Sequence, residues 1–136
     1  MTAGYSGTPL AKKLGYTPGM RLWLDPAMPD SVRAEIDPAA IGVDELPAPA
    51  PGMEAAHIFV TRRDALDTAI ATIRPLLVPS GFLWVSWPKK ASKMPTDITE
   101  DVIRDAALPT GFVDTKVCAV DSIWSGLKLM IRRSAR

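Results

Sequence analysis

The sequence predicts a three-layer α/β domain, with a mostly parallel sheet between helix layers and a C-terminal antiparallel hairpin. Three observations carry this. From residue 55 onward, strand-like and helix-like segments alternate, which implies right-handed crossovers between parallel strands. FLWVSW (82–87) is apolar on both faces, as a buried parallel strand is. FVDTKVCAVD (112–121) and GLKLMIRR (126–133) are separated by too few residues for a helical crossover, so they should pair as a hairpin.

The elements follow in order. Thr8 reads as an N-cap with Pro9 at the first helical position, Leu10, Ala11 and Leu14 as a short apolar stripe, and Gly15 as the C-terminal stop. Thr17-Pro18-Gly19 is a turn, and MRLWLD (20–25) a first strand. Residues 25–52 are irregular, with one or two helical turns over Ser31–Ile36, a short strand in IGVDEL (41–46) and a stiff PAPAPG connector. AAHIFVT (55–61) is a strand. Thr61 should cap a helix whose apolar face is Leu66, Ile70, Ile73 and Leu77, and which Pro75 should end or kink. Pro79-Ser80-Gly81 reads as a turn before the 82–87 strand. Asp97 should cap the next helix, with Glu100 at its third position and Pro109-Thr110-Gly111 as its end.

Composition bounds the function. A length of 136 residues suits one domain spanning 1–136, with 25–52 as a proline-rich segment inside it. Hydrophobic residues make up 47% and charged residues 23%, the balance of a globular chain. The net charge of +1 lacks the basic excess of a dedicated nucleic-acid binder, so no nucleic-acid partner is expected. It conceals an asymmetry: residues 1–57 carry −3 and residues 58–136 carry +4. Six of the 13 prolines fall in 25–52, so the proline excess marks one segment rather than general disorder. One cysteine and one histidine leave no metal or iron–sulfur cluster to expect. No membrane-spanning run and no signal-peptide pattern are visible, so a cytoplasmic location is expected.

The segment HIFVTRRDALDTAIATIRPLLVPSGFLWVSWP resembles the strand–helix–strand unit of class I, S-adenosylmethionine-dependent methyltransferases, and IRPLLVPSGFLWVS is similar to their "RLLKPGG-LWVS" turn. The resemblance spans about 55–133 and implies a methyltransferase-type, Rossmann-like sheet with a reversed last strand. In that family the first strand runs into a "D-x-G-x-G-x-G" loop. Here it continues as LDPAMPDS (24–31), without the glycines that let a backbone approach a cofactor. Asp44 or Glu45 stands where the family's ribose-binding acid would be. No cofactor is therefore expected, S-adenosylmethionine in the usual mode included. GYSGTPLAKKLG (4–15), LWVSWPKKASKMPTDITED (83–101) and VCAVDSIWSGLKLMIRR (117–133) are also similar to a family of small bacterial proteins known as a domain of unknown function. That likeness covers nearly the whole chain and implies no activity.

The leading candidate site is the loop after the 82–87 strand. Ser86, Trp87, Lys89, Lys90, Ser92 and Lys93 run into a helix N-terminus at Thr96-Asp97, and ligands of open α/β sheets bind beyond the carboxyl ends of strands. Lysines supply charge for a phosphate or carboxylate, and Trp87 supplies a stacking face. Equally, the lysines could only solvate a loop. Secondary candidates are Ser6, Thr8, Lys12 and Lys13 in the Gly-rich N-terminal segment, which docking by Tyr5 and Leu10 also explains, and Trp124 and Ser125 at the hairpin tip. Cys118, mid-strand, reads as a small hydrophobe rather than a nucleophile served by His57. The carboxylates Asp97, Glu100, Asp101 and Asp105 read as capping and solvation, so no catalytic residue is assigned.

Three functional readings follow. The first is a non-catalytic binding module for a small anionic ligand or a protein partner. The second is a methyltransferase relative with an atypical cofactor site. The third is an interaction protein that forms a homodimer through an edge strand or Trp124.

Overall fold

The structure is a computed structural model and describes residues 8–136. Its core is one six-stranded sheet. In chain order the elements are α1 (Leu10–Leu14), β1 (Arg21–Leu24), α2 (Asp30–Ile36), α3 (Pro38–Ile41), β2 (Asp44–Glu45), β3 (Met53–Phe59), α4 (Arg63–Ile73), β4 (Leu77–Pro88), α5 (Glu100–Ala107), β5 (Phe112–Ala119) and β6 (Trp124–Ile131). The strands lie in the order β2-β1-β3-β4-β6-β5. β2, β1, β3 and β4 pair in parallel, while β6 runs antiparallel to both β4 and β5. The expected parallel sheet with a C-terminal hairpin is what forms. β6 is the single reversed strand, and it inserts between β4 and β5 rather than lying at the edge.

Alternation along the strands sends side chains into two cores. Ala55, Phe59, Phe82, Trp84 and Trp124 face α1 and α2, joining Leu10, Leu14, Val32 and Ile36. Ala56, Ile58, Leu83, Val85, Leu127 and Leu129 face α4 and α5, joining Leu66, Ile70, Ile73 and Ile103. This is why 82–87 is apolar at every position: each face has a helix layer to bury against. The first of these faces is tied to α1 by a buried polar contact. Trp84 is fully buried, and its indole Nε1 donates to the Leu14 carbonyl at 2.7 Å, closing the helix end where Gly15 turns left-handed (φ 83°).

Several local expectations are corrected. α1 starts at Leu10 with Pro9, not Thr8, at the cap position, the Pro9 carbonyl accepting from Lys12 and Lys13 N–H. The irregular segment holds an additional helix, α3, which Asp37 in the left-handed region separates from α2. Its strand shrinks to Asp44 and Glu45. Pro79-Ser80-Gly81 is not a turn between elements. β4 runs through it, and the stretch is expelled from the ladder, since Met53 pairs with Leu77 while Ala55 pairs with Phe82. α4 begins at Arg63, so Thr61 does not cap it. α5 begins at Glu100 with Thr99 as its cap, Oγ1 accepting from Val102 N–H at 3.2 Å, so Asp97 does not cap that helix.

Candidate functional site

A parallel sheet offers a ligand crevice where neighbouring crossovers leave in opposite directions. Here β1 passes to β2 on one side, and β3 lies on its other side, so the switch point falls at the carboxyl ends of β1 and β3. The residues there close it. Asp25 follows β1 directly, and its two carboxylate oxygens accept from Phe59 N–H at 3.0 Å and Ala27 N–H at 2.9 Å. Met28 folds inward and is only 6% exposed. With no glycine in 24–31, both carboxylate oxygens committed and Met28 in the core, this crevice does not fit a nucleoside cofactor in the usual methyltransferase position.

One strand further out the surface opens. β2 is the sheet edge, and a cleft of about 540 Å³ lies between it and the α2–α3 pair. Asp30, Arg33, Asp37, Pro38, Val43 and Glu45 are among its lining. Glu45, which ends β2, is held by Arg33, whose Nη2 donates to both carboxylate oxygens at 2.5 and 2.7 Å. Three carboxylates against one guanidinium make this cleft acidic, and its volume is that of a small-molecule site. Sequence reading had named Glu45 only as a stand-in and had missed Arg33, Asp30 and Asp37. Asp30 and Arg33 stand three apart on one face of α2, and Asp37 follows directly at its left-handed end; that spacing was the available signal.

The loop predicted from sequence is arranged differently. Ser86 is fully buried, and its Oγ lies 2.7 Å from His57 Nε2. Trp87 is 8% exposed and belongs to the core on the α4–α5 side. Lys89 Nζ donates to the Asp121 carbonyl at 2.7 Å, tying the loop to the hairpin. Lys90 and Lys93 are exposed, Lys93 in the left-handed region, and Ser92 Oγ donates to the Lys89 carbonyl. Thr96 Oγ1 donates to the Thr61 carbonyl, and the Asp97 carboxylate accepts from Arg63 N–H at 2.7 Å, at the start of α4. Ser86 and Trp87 thus point to opposite faces of β4, and Thr96 and Asp97 fasten the loop to the neighbouring helix.

The secondary candidates also separate. Ser6 lies outside the described residues. Thr8 and Lys13 are half-buried, and Lys12 is exposed. Trp124 is buried at 8% exposure and meets Phe59 edge-on at 5.0 Å, filling the rim above β3. Ser125 pairs with Trp87 and Ala119 in the ladder.

Sequence reading paired His57 with Cys118 only to set that pair aside. The structure gives His57 other partners: Tyr16 Oη at 2.9 Å from Nδ1, and Ser86. All three residues are buried. Burial lowers the imidazole to about 3 and pushes the Tyr16 phenol up, so both groups stay neutral. Burial also raises the Cys118 thiol, against the pull of Lys13 and Lys116. Among the described residues, no group of three or more His, Cys, Asp or Glu side chains is placed to hold a metal ion, and no helix is long and apolar enough to cross a membrane.

No protein-family model matches the chain, and no curated protein matches it significantly. Solved structures do. A SAM dependent methyltransferase from Aquifex aeolicus aligns over 88% of this chain and 86% of its own, at 12% identity and a TM-score of 0.58. The 1,6-didemethyltoxoflavin-N1-methyltransferase of Burkholderia thailandensis, solved with S-adenosylhomocysteine, aligns over 90% and 75%, at 16% and 0.57. Fibrillarin from Aeropyrum pernix, with natively bound S-adenosyl-L-methionine, aligns over 94% and 71%, at 10% and 0.54. At these identities the likeness is one of fold: this chain has the methyltransferase-like, Rossmann-like sheet.

Proposed function

We propose that this chain is a methyltransferase relative that binds a cationic nucleoside ligand of the S-adenosylmethionine kind in an atypical site, the cleft beside β2. One observation carries the reading: the family's crevice is closed by Asp25 and Met28, while an acidic cleft of about 540 Å³ opens next to it, at the strand that ends in Glu45. The carboxylates of Asp30, Asp37 and Glu45 suit a ligand bearing a sulfonium and an amine, and Glu45 is an acceptor for a ribose diol. Arg33 would offer its guanidinium to a ligand carboxylate once Glu45 turns to the sugar. Calorimetric titration with S-adenosylmethionine and S-adenosylhomocysteine tests this. Saturable binding is expected, weaker in Glu45→Gln and unchanged when Lys89→Ala and Lys90→Ala are combined. The absence of saturable binding to either compound would overturn it.

A second reading, a non-catalytic binding module, is favoured by the closed switch-point crevice itself. Under it the 86–97 loop takes a small anion. Binding of nucleotides or phosphate that the Lys89→Ala, Lys90→Ala double variant loses, while Glu45→Gln retains it, would select that reading over the first.

A further inference from the structure

The outer face of the β5–β6 hairpin, on the α1 side, concentrates positive charge in a way the sheet itself does not require. β5 and β6 keep a regular register from Phe112–Ile131 to Asp114–Leu129, then slip by one residue, so that Lys116 rather than Thr115 pairs with Lys128. Thr115 is the extra residue of a β-bulge. Such bulges re-aim the side chains that follow them. Without it Lys116 would point to the α5 side, where Asp114 already meets Arg104. With it, Lys116 stands directly across the ladder from Lys128, on the face it shares with Cys118. Like charges directly opposed in an antiparallel pair are unfavourable.

A third lysine converges from α1. Lys116 Nζ donates to the Lys13 carbonyl at 3.3 Å, and Lys13 Nζ donates to the Ala119 carbonyl at 3.4 Å. Lys128 Nζ sits 4.3 Å above the Phe82 ring. Among the described residues none of the three forms an ion pair. Each ammonium carries three N–H groups, and the contacts named use one on Lys13, one on Lys116 and none on Lys128. The remaining donors are spare. The mutual repulsion is felt within the cluster: burial first, then Lys116, lowers the Lys128 ammonium.

We infer that Lys13, Lys116 and Lys128 form a binding site for a phosphate-type oxyanion, whether free phosphate or the phosphate group of a nucleotide. A multiply charged tetrahedral anion takes donors from several directions and neutralises an opposed lysine pair, which a lone carboxylate does less completely. The site is independent of the cleft beside β2, since β3 and β4 lie between β1 and β6.

Cys118 supplies a built-in reporter. It lies on the same strand face and is half-buried; burial raises its thiol, and Lys13 and Lys116 pull against that rise. An anion on the lysines cancels that pull and slows thiol alkylation. The experiment measures iodoacetamide alkylation of Cys118 against inorganic phosphate and against adenosine monophosphate, with sodium chloride at matched ionic strength as reference. The alkylation rate is expected to fall saturably with phosphate and not with chloride. The midpoint should move roughly tenfold in Lys116→Gln, the factor carried by one charge-assisted hydrogen bond, and stay put in Lys12→Gln, an exposed lysine of the same helix. Nucleotide acting where phosphate does not would place the recognition on the nucleoside and overturn the assignment. So would an equal effect of chloride, or equal shifts in Lys12→Gln and Lys116→Gln. Lys116 is exposed, so its substitution leaves the core intact. Backbone amide shifts of Lys116 and Lys128 on adding phosphate give a second readout that does not need the thiol.

Discussion

His57 and Ser86 meet inside the sheet, Nε2 to Oγ at 2.7 Å, on adjacent parallel strands and with no exposed surface on either residue. With Tyr16 on Nδ1, the imidazole has a partner at each nitrogen. A neutral imidazole carries one donor and one acceptor, and two flanking hydroxyls satisfy it in either tautomer. The arrangement has the spacing of a nucleophile and base, but the hydroxyl is sealed in the core, so its consequence is for stability.

That consequence has a sign. In the folded chain the imidazole is held down at about 3, against 6.5 when unfolded, because burial disfavours its charged form. Between those values the unfolded chain binds a proton that the folded one does not, so stability rises with pH across that window and is lost as pH falls through it. The slope from this one group approaches about 1.4 kcal/mol per pH unit. Urea midpoints measured from pH 7 to pH 4 should fall more steeply for the natural chain than for His57→Gln, both sharing the background of their carboxylates. Parallel declines would remove His57 as the source.

Trp84→Phe is expected to cost about 2–4 kcal/mol. It removes volume from a fully buried site and leaves the Leu14 carbonyl without its 2.7 Å donor. Chemical denaturation followed by circular dichroism measures the loss. A change within about 0.5 kcal/mol would mean that α1 is closed by Gly15 alone.

What the sequence disclosed and what it hid divide along the range of the interactions. The 82–87 strand was legible because its burial on both faces is written in consecutive residues. The Gly15 helix stop was legible because it depends on one backbone angle. Asp97 misled because a carboxylate at a helix-like start caps whichever N–H groups the fold brings near, here that of Arg63, which lies 34 positions away. Ser86 misled for the same reason. Beside Trp87 it looks like the start of a polar loop, yet strand parity places it with His57 on the face that receives Tyr16. Arg33 and Glu45 were each visible, but their meeting depends on α2 turning back beside β2. The Lys116–Lys128 opposition rests on a one-residue bulge that no periodicity announces.

Asp97→Ala is therefore expected to weaken α4 rather than α5, by about 1 kcal/mol, since it deletes the acceptor for Arg63 N–H. Thr99→Ala should instead weaken the start of α5, which Thr99 caps. Amide hydrogen exchange resolves the two. Faster exchange at the first turn of α4 in the Asp97 variant, with α5 unchanged, is the expected pattern. Faster exchange confined to α5 would restore Asp97 to the role that its sequence position suggests.

Gly81 should resist any side chain. It ends the stretch expelled from β4, and a Cβ there would stand 3.0 Å from two backbone carbonyls, those of Glu54 and Val78, and 3.1 Å from Leu77 Cδ2. A flexible side chain could yield at that distance, but a ladder carbonyl on β3 cannot move without pulling on the pairing of Ala55 with Phe82. Gly81→Ala is accordingly expected to cost about 1–3 kcal/mol, in the range of core overpacking, even though alanine restricts the unfolded chain and would gain a few tenths elsewhere. Ser80→Ala, one residue earlier and exposed, should stay within about 0.5 kcal/mol. Thermal unfolding of the two variants side by side checks the contrast. Equal midpoints would show that the bulge shifts to admit a methyl group, and that the Glu54 and Val78 carbonyls do not hold it in place.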